Sequence, residues 1–192
     1  MIREAIGSGE QFGLRVRYVD EGPELRGTGG ALRLAFEQGA LEETFLLTYG
    51  DSYLPIDFGE VWRTFRERNA PALMTVYRNE ELFDASNVIF ENQKVTLYEK
   101  GLQSKPPGMK WIDYGLSALR REEVEMGLPT IAELERRPKE TKKIDLAELF
   151  HRLSLQGKLH GYEVATRFYE IGSFSGLEDL QNYLKKGGSV AQ

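Results

Sequence analysis

Two short runs constrain this chain more than anything else in it. Phe45 to Tyr49 (FLLTY) and Ala72 to Tyr77 (ALMTVY) are continuously apolar or β-branched, and the first stops abruptly at Gly50-Asp51. Runs of this length and composition predict strands buried on both faces, the kind found where helices cover a sheet from both sides. Helical patterns alternate with them. Ala31 to Gln38 carries Leu32 and Phe36 at helical spacing. Asp57 caps a helix with a Val61, Trp62, Phe65 stripe, and Asp145 opens another with Leu146, Leu149, Phe150 and Leu153 on one face. Further strands are expected at Leu14 to Val19, Lys110 to Leu119, Leu159 to Val164 and Phe168 to Ile171. Val88 to Phe90 and Val95 to Tyr98 read as a hairpin, and Leu177 to Leu184 as a closing helix. Strands and helices in alternation, punctuated by Gly, Pro, Asn and Asp, predict an α/β fold: three layers around a largely parallel mixed sheet. The charge-rich stretch from Glu122 to Lys143, with Pro129 and Pro138, reads as a short helix and an exposed excursion. Met1 to Ile6 reads as the tail of a helix with little before it.

Composition narrows the chemistry. The 192 residues are 41% hydrophobic, enough for one core, so 1–192 is expected to be one domain. A formal net charge of -5 with mixed signs disfavours broad nucleic-acid binding. There is no cysteine, which excludes disulfides, a thiolate nucleophile and cysteine-ligated metals. Any metal must sit on oxygen or histidine. No stretch approaches the roughly 20 apolar residues that span a bilayer, so no membrane partner is expected and the reading is cytoplasmic.

Three features could carry chemistry. Gly27-Thr28-Gly29-Gly30, between an expected strand and a helix, would let backbone amides approach a ligand; a tight turn with close helix–sheet packing explains the glycines equally well. Asp51 directly follows a buried strand, where open α/β sheets bind ligands and where a carboxylate can hold a metal beside a phosphate; an Asx-turn or helix cap is the alternative. Glu170 is a lone acid in Phe168 to Gly172 (FYEIG), and it either meets a metal, pairs with Arg167 or lies at an exposed strand end.

These pieces occur together and in order: Gly-Thr-Gly-Gly-Ala, Leu-Thr-Tyr-Gly-Asp-Ser, Tyr-Glu-Lys, Asp-Tyr-Gly and Tyr-Glu-Ile-Gly-Ser. From about Phe12 to Leu184 the chain resembles the sugar-1-phosphate nucleotidylyltransferases, with the flavour of the branch acting on mannose 1-phosphate and D-glycero-D-manno-heptose 1-phosphate. The resemblance implies a Rossmann-like fold and transfer of NMP from a nucleoside triphosphate to a sugar 1-phosphate. It places Gly27, Thr28, Gly29 and Gly30 against the nucleoside, and Asp51 and Glu170 on a catalytic Mg2+. It places Glu99 and Lys100 on the sugar and its phosphate, with Lys100 catalytic, and sets Asn87, Asp113 and Gly115 around the sugar. Without that context, a solvated charge at a hairpin end is the plain reading of Lys100.

One departure stands out. The family's Gly-Gly-x-Gly-x-Arg loop and the Lys-Pro after it, which grip the triphosphate, have no counterpart in these residues. The resemblance therefore implies a fold lacking its first βα portion, impaired transfer by the 192 residues alone, and an open sheet edge. Two alternatives follow: a non-catalytic sugar-nucleotide-binding pseudoenzyme, or a subunit that completes its sheet with a partner, a second copy included.

Overall fold

The computed structural model describes residues 2–82 and 85–187. In chain order it forms α1 (Ile2–Ile6), a 3-10 turn at Glu10–Phe12, α2 (Gly27–Glu37), β1 (Thr44–Thr48), β2 (Ser52–Tyr53), α3 (Phe58–Glu67) and β3 (Ala72–Arg78). Then follow β4 (Val88–Glu91), β5 (Lys94–Tyr98), β6 (Trp111–Arg120), α4 (Arg121–Gly127), α5 (Ile131–Glu135), a 3-10 turn at Lys139–Thr141, α6 (Leu146–Leu155), β7 (Leu159–Val164), β8 (Tyr169–Glu170) and α7 (Phe174–Lys185). No helix among the described residues is long and apolar enough to cross a membrane.

The central sheet is mixed, six strands in the order β1-β6-β3-β7-β5-β4. β1 and β3 both run antiparallel to β6, and β7 runs parallel to β3, so β1, β3 and β7 share one direction. β4 and β5 form the expected hairpin: Asn92 (φ 50) and Gln93 (φ 63) both take the left-handed conformation that two-residue hairpin loops require. Helices cover both faces. Leu32 of α2, Val124 of α4, Leu134 of α5 and Leu149, Phe150 and Leu153 of α6 bury one face together with Met74, Val76 and Leu119. Val61 and Phe65 of α3 bury the other with Leu73, Leu116 and Ala118. The cap residues work as their chemistry requires. The Asp57 carboxylate accepts from the Gly59 and Glu60 amides at 2.7 and 3.4 Å, and Asp145 accepts from Ala147 N at 2.9 Å.

Three expectations need correction. Leu14 to Val19 alternates in sequence but joins no ladder among the described residues: Leu14 is exposed, and only Val16, Tyr18 and Val19 are half-buried. Period-two alternation signals a strand only where a partner edge exists. The stretch from Glu122 to Lys143 is an exposed excursion only from residue 135 onward; before it, Val124, Leu128 and Leu134 are buried in the core and the buried Glu123 pairs with Lys158 at 3.0 Å. Its short helices α4 and α5 hide the 3.6-residue pattern that a longer element would display. β1 is not buried on both faces either; its residues are half-buried, with Thr48 exposed, because it is the outermost strand and pairs with β6 alone.

Candidate active site

The site grows from an irregularity in the longest strand. Between the pairs Met74↔Ser117 and Val76↔Asp113, β3 advances two residues while β6 advances four, so β6 bulges around Tyr114 to Leu116. Gly115 makes the bulge feasible: its φ of +102° is open to glycine, and a Cβ there would lie 3.6 Å from the Tyr49 ring. Thr75 fills the gap left in the ladder, its hydroxyl donating to Leu116 O at 2.6 Å and accepting from Leu116 N at 3.3 Å. The bulge turns Asp113 toward the hairpin. A network then fixes the sugar-side residues anticipated from sequence. Asn87 Oδ1 accepts from Asp113 N at 3.0 Å, Asp113 Oδ1 accepts from Gly115 N at 3.0 Å, and Glu99 N donates to Asn87 O at 2.9 Å. The structure thus brings Asn87, Glu99, Asp113 and Gly115 together. Lys100 leaves the end of β5 exposed, with its Nζ 5.8 Å from the centroid of the Tyr49 ring.

Asp51 and Glu170 meet through a separate two-stranded ladder. β2 pairs antiparallel with β8, Ser52 opposite Glu170, and Ile171 N donates to Asp51 O at 2.7 Å. A Cβ placed on Gly172 would lie 3.8 Å from Asp51 Oδ2 and 3.9 Å from Glu170 Oε1, so both carboxylates border the space that this glycine leaves open. Both residues are solvent-exposed. Glu170 is therefore at an exposed strand end, as one of the readings above had it, and the Arg167 guanidinium reaches Asp179 at 3.1 Å. Mg2+ takes oxygen ligands, keeps several waters and commonly uses one or two carboxylates with substrate phosphates, and two exposed carboxylates beside one open space are ligands of that type. Among the described residues no group of three or more His, Cys, Asp or Glu could form a fuller protein cage.

The glycine segment shows the close packing that was one of its two readings. It forms the first turn of α2 and packs against the chain entering α6: a Cβ on Gly27 would lie 2.5 Å from Ile144 O, and one on Gly29 would lie 2.9 Å from Ile144 Cγ2. The Gly29 amide already donates to Ile144 O at 2.9 Å. Gly27, Gly29 and Gly30 are thus explained by close packing, and Thr28 is the one of the four that lines the adjoining cavity. Its hydroxyl accepts from Leu146 N at 2.8 Å and meets Asp145 Oδ1 at 3.2 Å. That cavity, about 430 Å³, runs from Thr28 and Leu32 past Leu47, Tyr49 and Gly50 to Gly115. It links the start of α2 to the loop that carries Asp51.

Sequence reasoning missed four participants. Tyr49 has a buried hydroxyl without a hydrogen-bond partner among the described residues, that of Tyr98 faces the Asp113 carboxyl, and burial together with the nearby Asp113 raises the pKa of both phenols. Asp145 adds charge close to both, and Gly172 opens the space between the two acids. The two tyrosines lie within the ordered motifs, Tyr49 before Gly50-Asp51 and Tyr98 before Glu99-Lys100, but a tyrosine in or beside a strand reads as core.

No protein-family model and no curated protein matches the chain. Solved structures do. The whole chain superposes on 73% of a Bacillus anthracis protein assigned as a glucose-1-phosphate thymidylyltransferase, at 16% identity and a TM-score of 0.74. It matches HddC from Yersinia pseudotuberculosis over 95% of this chain and 73% of that one (19% identity, TM-score 0.68). It matches a UDP-glucose pyrophosphorylase over 96% and 72% (17%, 0.68). The chain has the nucleotidyltransferase fold. The carboxyl end of β1, at Leu47 and Thr48, lines the cavity, and open α/β sheets place their ligands beyond such strand ends.

Asp113 supplies a test of the site's electrostatics. Burial pushes its carboxyl from the ordinary 3.8 to about 6, opposed by the Gly115 amide and by Lys100. A raised folded-state pKa means that the folded protein holds the proton more tightly, so the stabilisation is full below pH ~3.8 and is lost as pH rises through ~6. Urea unfolding of wild type and Asp113→Asn across pH 3.5–7 is expected to show wild type losing up to about 3 kcal/mol relative to the variant over that window and nothing further above it. A gap that stays constant with pH contradicts the enclosed carboxyl.

Proposed function

We propose that the chain carries out nucleotidyl transfer from a nucleoside triphosphate to a sugar 1-phosphate. A phosphate oxygen of the sugar 1-phosphate attacks the α-phosphorus, the bond to the β-phosphate oxygen breaks, and pyrophosphate leaves with the electron pair. The observation that carries this reading is that the Asp51 and Glu170 carboxylates border the one open space beside Gly172. Gly50, next to Asp51, lines a cavity that also takes in Thr28 and Tyr49, and Lys100 lies above the Tyr49 ring. Asp51 and Glu170 would hold Mg2+, which supplies charge neutralisation at the α-phosphate. Lys100 holds the phosphate of the acceptor in line, and Glu99, Asn87, Asp113 and the Gly115 backbone orient the sugar ring. Thr28 and the first turn of α2 form the nucleoside wall. The fold neighbours support this assignment: HddC has been solved with GMP-PN, and the UDP-glucose pyrophosphorylase with UDP-glucose. Mannose 1-phosphate and heptose 1-phosphate with GTP are the first substrates to try.

Pyrophosphate release measures the reaction. Turnover by the 192 residues is expected to be low and Mg2+-dependent, and Asp51→Asn and Glu170→Gln should each reduce it by about 100-fold or more, roughly 3 kcal/mol of transition-state stabilisation. If turnover lies below detection, Mg2+-dependent binding of a nucleotide sugar, followed by calorimetry, makes the same comparison and identifies the binding-only form of the reading. Binding indifferent to both substitutions contradicts both forms.

The outermost strand favours a second reading, a subunit whose sheet is completed by another polypeptide. β1 offers one ladder edge without a partner among the described residues, and Phe45, Leu46 and Leu47 are half-exposed along it. Such an edge recruits strands. Light scattering is expected to show concentration-dependent association that Leu46→Lys reduces. A monomer at every concentration argues against this second reading.

A further inference from the structure

A second cleft lies on the far side of the segment leading into α2. Its volume is about 730 Å³, and it is walled by 23–26 on one side and by residues from Leu134 to Lys143 on the other. Five cations line it, Arg26, Arg137, Lys139, Lys142 and Lys143, against two carboxylates, Glu24 and Glu135. In a chain with 25 basic and 30 acidic residues this is a local inversion of charge. Arg26 is committed elsewhere: its Nη1 donates to Glu21 O at 2.8 Å and Glu24 O at 3.0 Å, and its Nη2 lies 3.6 Å from Glu135. The remaining four cations have no acidic partner within ion-pair distance among the described residues. Their backbone is nonetheless held. The Lys139–Thr141 turn closes through Thr141 N and Oγ1 on Pro138 O at 2.9 and 3.1 Å. Just beyond Lys143, Ile144 N donates to Arg26 O at 2.9 Å.

We infer that this cleft binds a phosphate chain, either free polyphosphate or the phosphates of a nucleotide. Four like charges facing one cleft repel one another, and a dense polyanion relieves that repulsion while gaining charge-assisted hydrogen bonds. Lysine ammoniums are compact charges suited to phosphate oxygens, and Arg137 adds one planar fork. Leu25 is 64% exposed beside them and, with Pro23, gives the cleft an apolar flank on which a nucleoside can rest. The cleft takes no part in the transfer reaction proposed above and stands without it.

Tripolyphosphate, without Mg2+ and at low salt, is the direct probe, with calorimetry as the readout. Saturable 1:1 binding is expected, falling steeply as salt is raised. The double variant Lys142→Gln, Lys143→Gln should weaken it by about tenfold or more, as loss of charge-assisted contacts does, and Arg137→Gln should weaken it further. The pair Lys185→Gln, Lys186→Gln on α7 and the substitution Asp51→Asn should leave it unchanged, which separates this site from the proposed metal site. A nucleoside triphosphate that binds more tightly than tripolyphosphate, and loses affinity in the same cleft variants, identifies a nucleotide as the source; equal affinity identifies phosphate alone. Circular dichroism checks that the variants fold. Cleft variants that bind like wild type, or oligoglutamate binding as tightly as tripolyphosphate, would overturn the inference.

Discussion

The bulged pairing of β6 with β3 is the constraint on which the rest of the site depends. β6 is ten residues long and lies between β1 and β3, with a further contact to β4, so it ties the outermost strand to the centre of the sheet. Its ladder cannot stay regular where Gly115 takes a φ of +102°, and the Thr75 hydroxyl bonds both backbone groups of Leu116 to close the break. A regular strand would carry Asp113 and Gly115 past the hairpin with no turn toward it. With the bulge, Asp113 N meets Asn87 Oδ1 and its carboxyl comes close enough to Lys100 and Tyr98 to feel both. Local irregularity inside a well-packed strand is a common way of aiming a functional side chain from a rigid base.

The two acids are positioned by a different device, and the two devices are coupled through Tyr49. β2 and β8 contribute only two residues each, yet their pairing fixes the backbone on either side of Asp51 and Glu170. The ladder is backed by aromatic packing: Tyr169 and Tyr183 have ring centroids 4.7 Å apart, and Tyr53 lies 6.5 Å from Tyr169. Tyr49, two residues before Asp51, touches Gly115 on one side and sits under Lys100 on the other. A single ring therefore links the β6 bulge, the lysine and the loop that carries Asp51. The Tyr49 hydroxyl meets no partner among the described residues, which is costly for a buried polar atom and is expected beside a site that binds polar ligands.

Most of the fold was legible because its elements are long or capped. Asp57 and Asp145 announced α3 and α6, and Asn92-Gln93 between β-branched runs announced the hairpin. The failures have physical causes. Leu14 to Val19 has the pattern of a strand and no edge to join. The stretch from Glu122 to Lys143 buries Val124 and Leu134 from helices too short to show a period. At the site, the order of motifs was legible and the roles were less so. The glycines at 27 and 29 mark how closely 144–145 approaches α2, which no sequence spacing reveals because the partners lie more than a hundred residues apart, and Gly30 leaves room for the Arg26 side chain. Gly172 was quoted only as part of a motif, yet its missing side chain leaves open the space that the two carboxylates share.

Asp51 and Glu170 are proposed to act through one divalent ion. Electron paramagnetic resonance of Mn2+, which substitutes for Mg2+, measures this without requiring turnover. Titration of the chain in the presence of a nucleotide sugar is predicted to show one bound Mn2+ that Asp51→Asn and Glu170→Gln each weaken strongly. The double variant should be little worse than the weaker single, since each substitution already dismantles the same site. Losses that add independently, or either single variant binding Mn2+ as wild type does, would contradict the shared site.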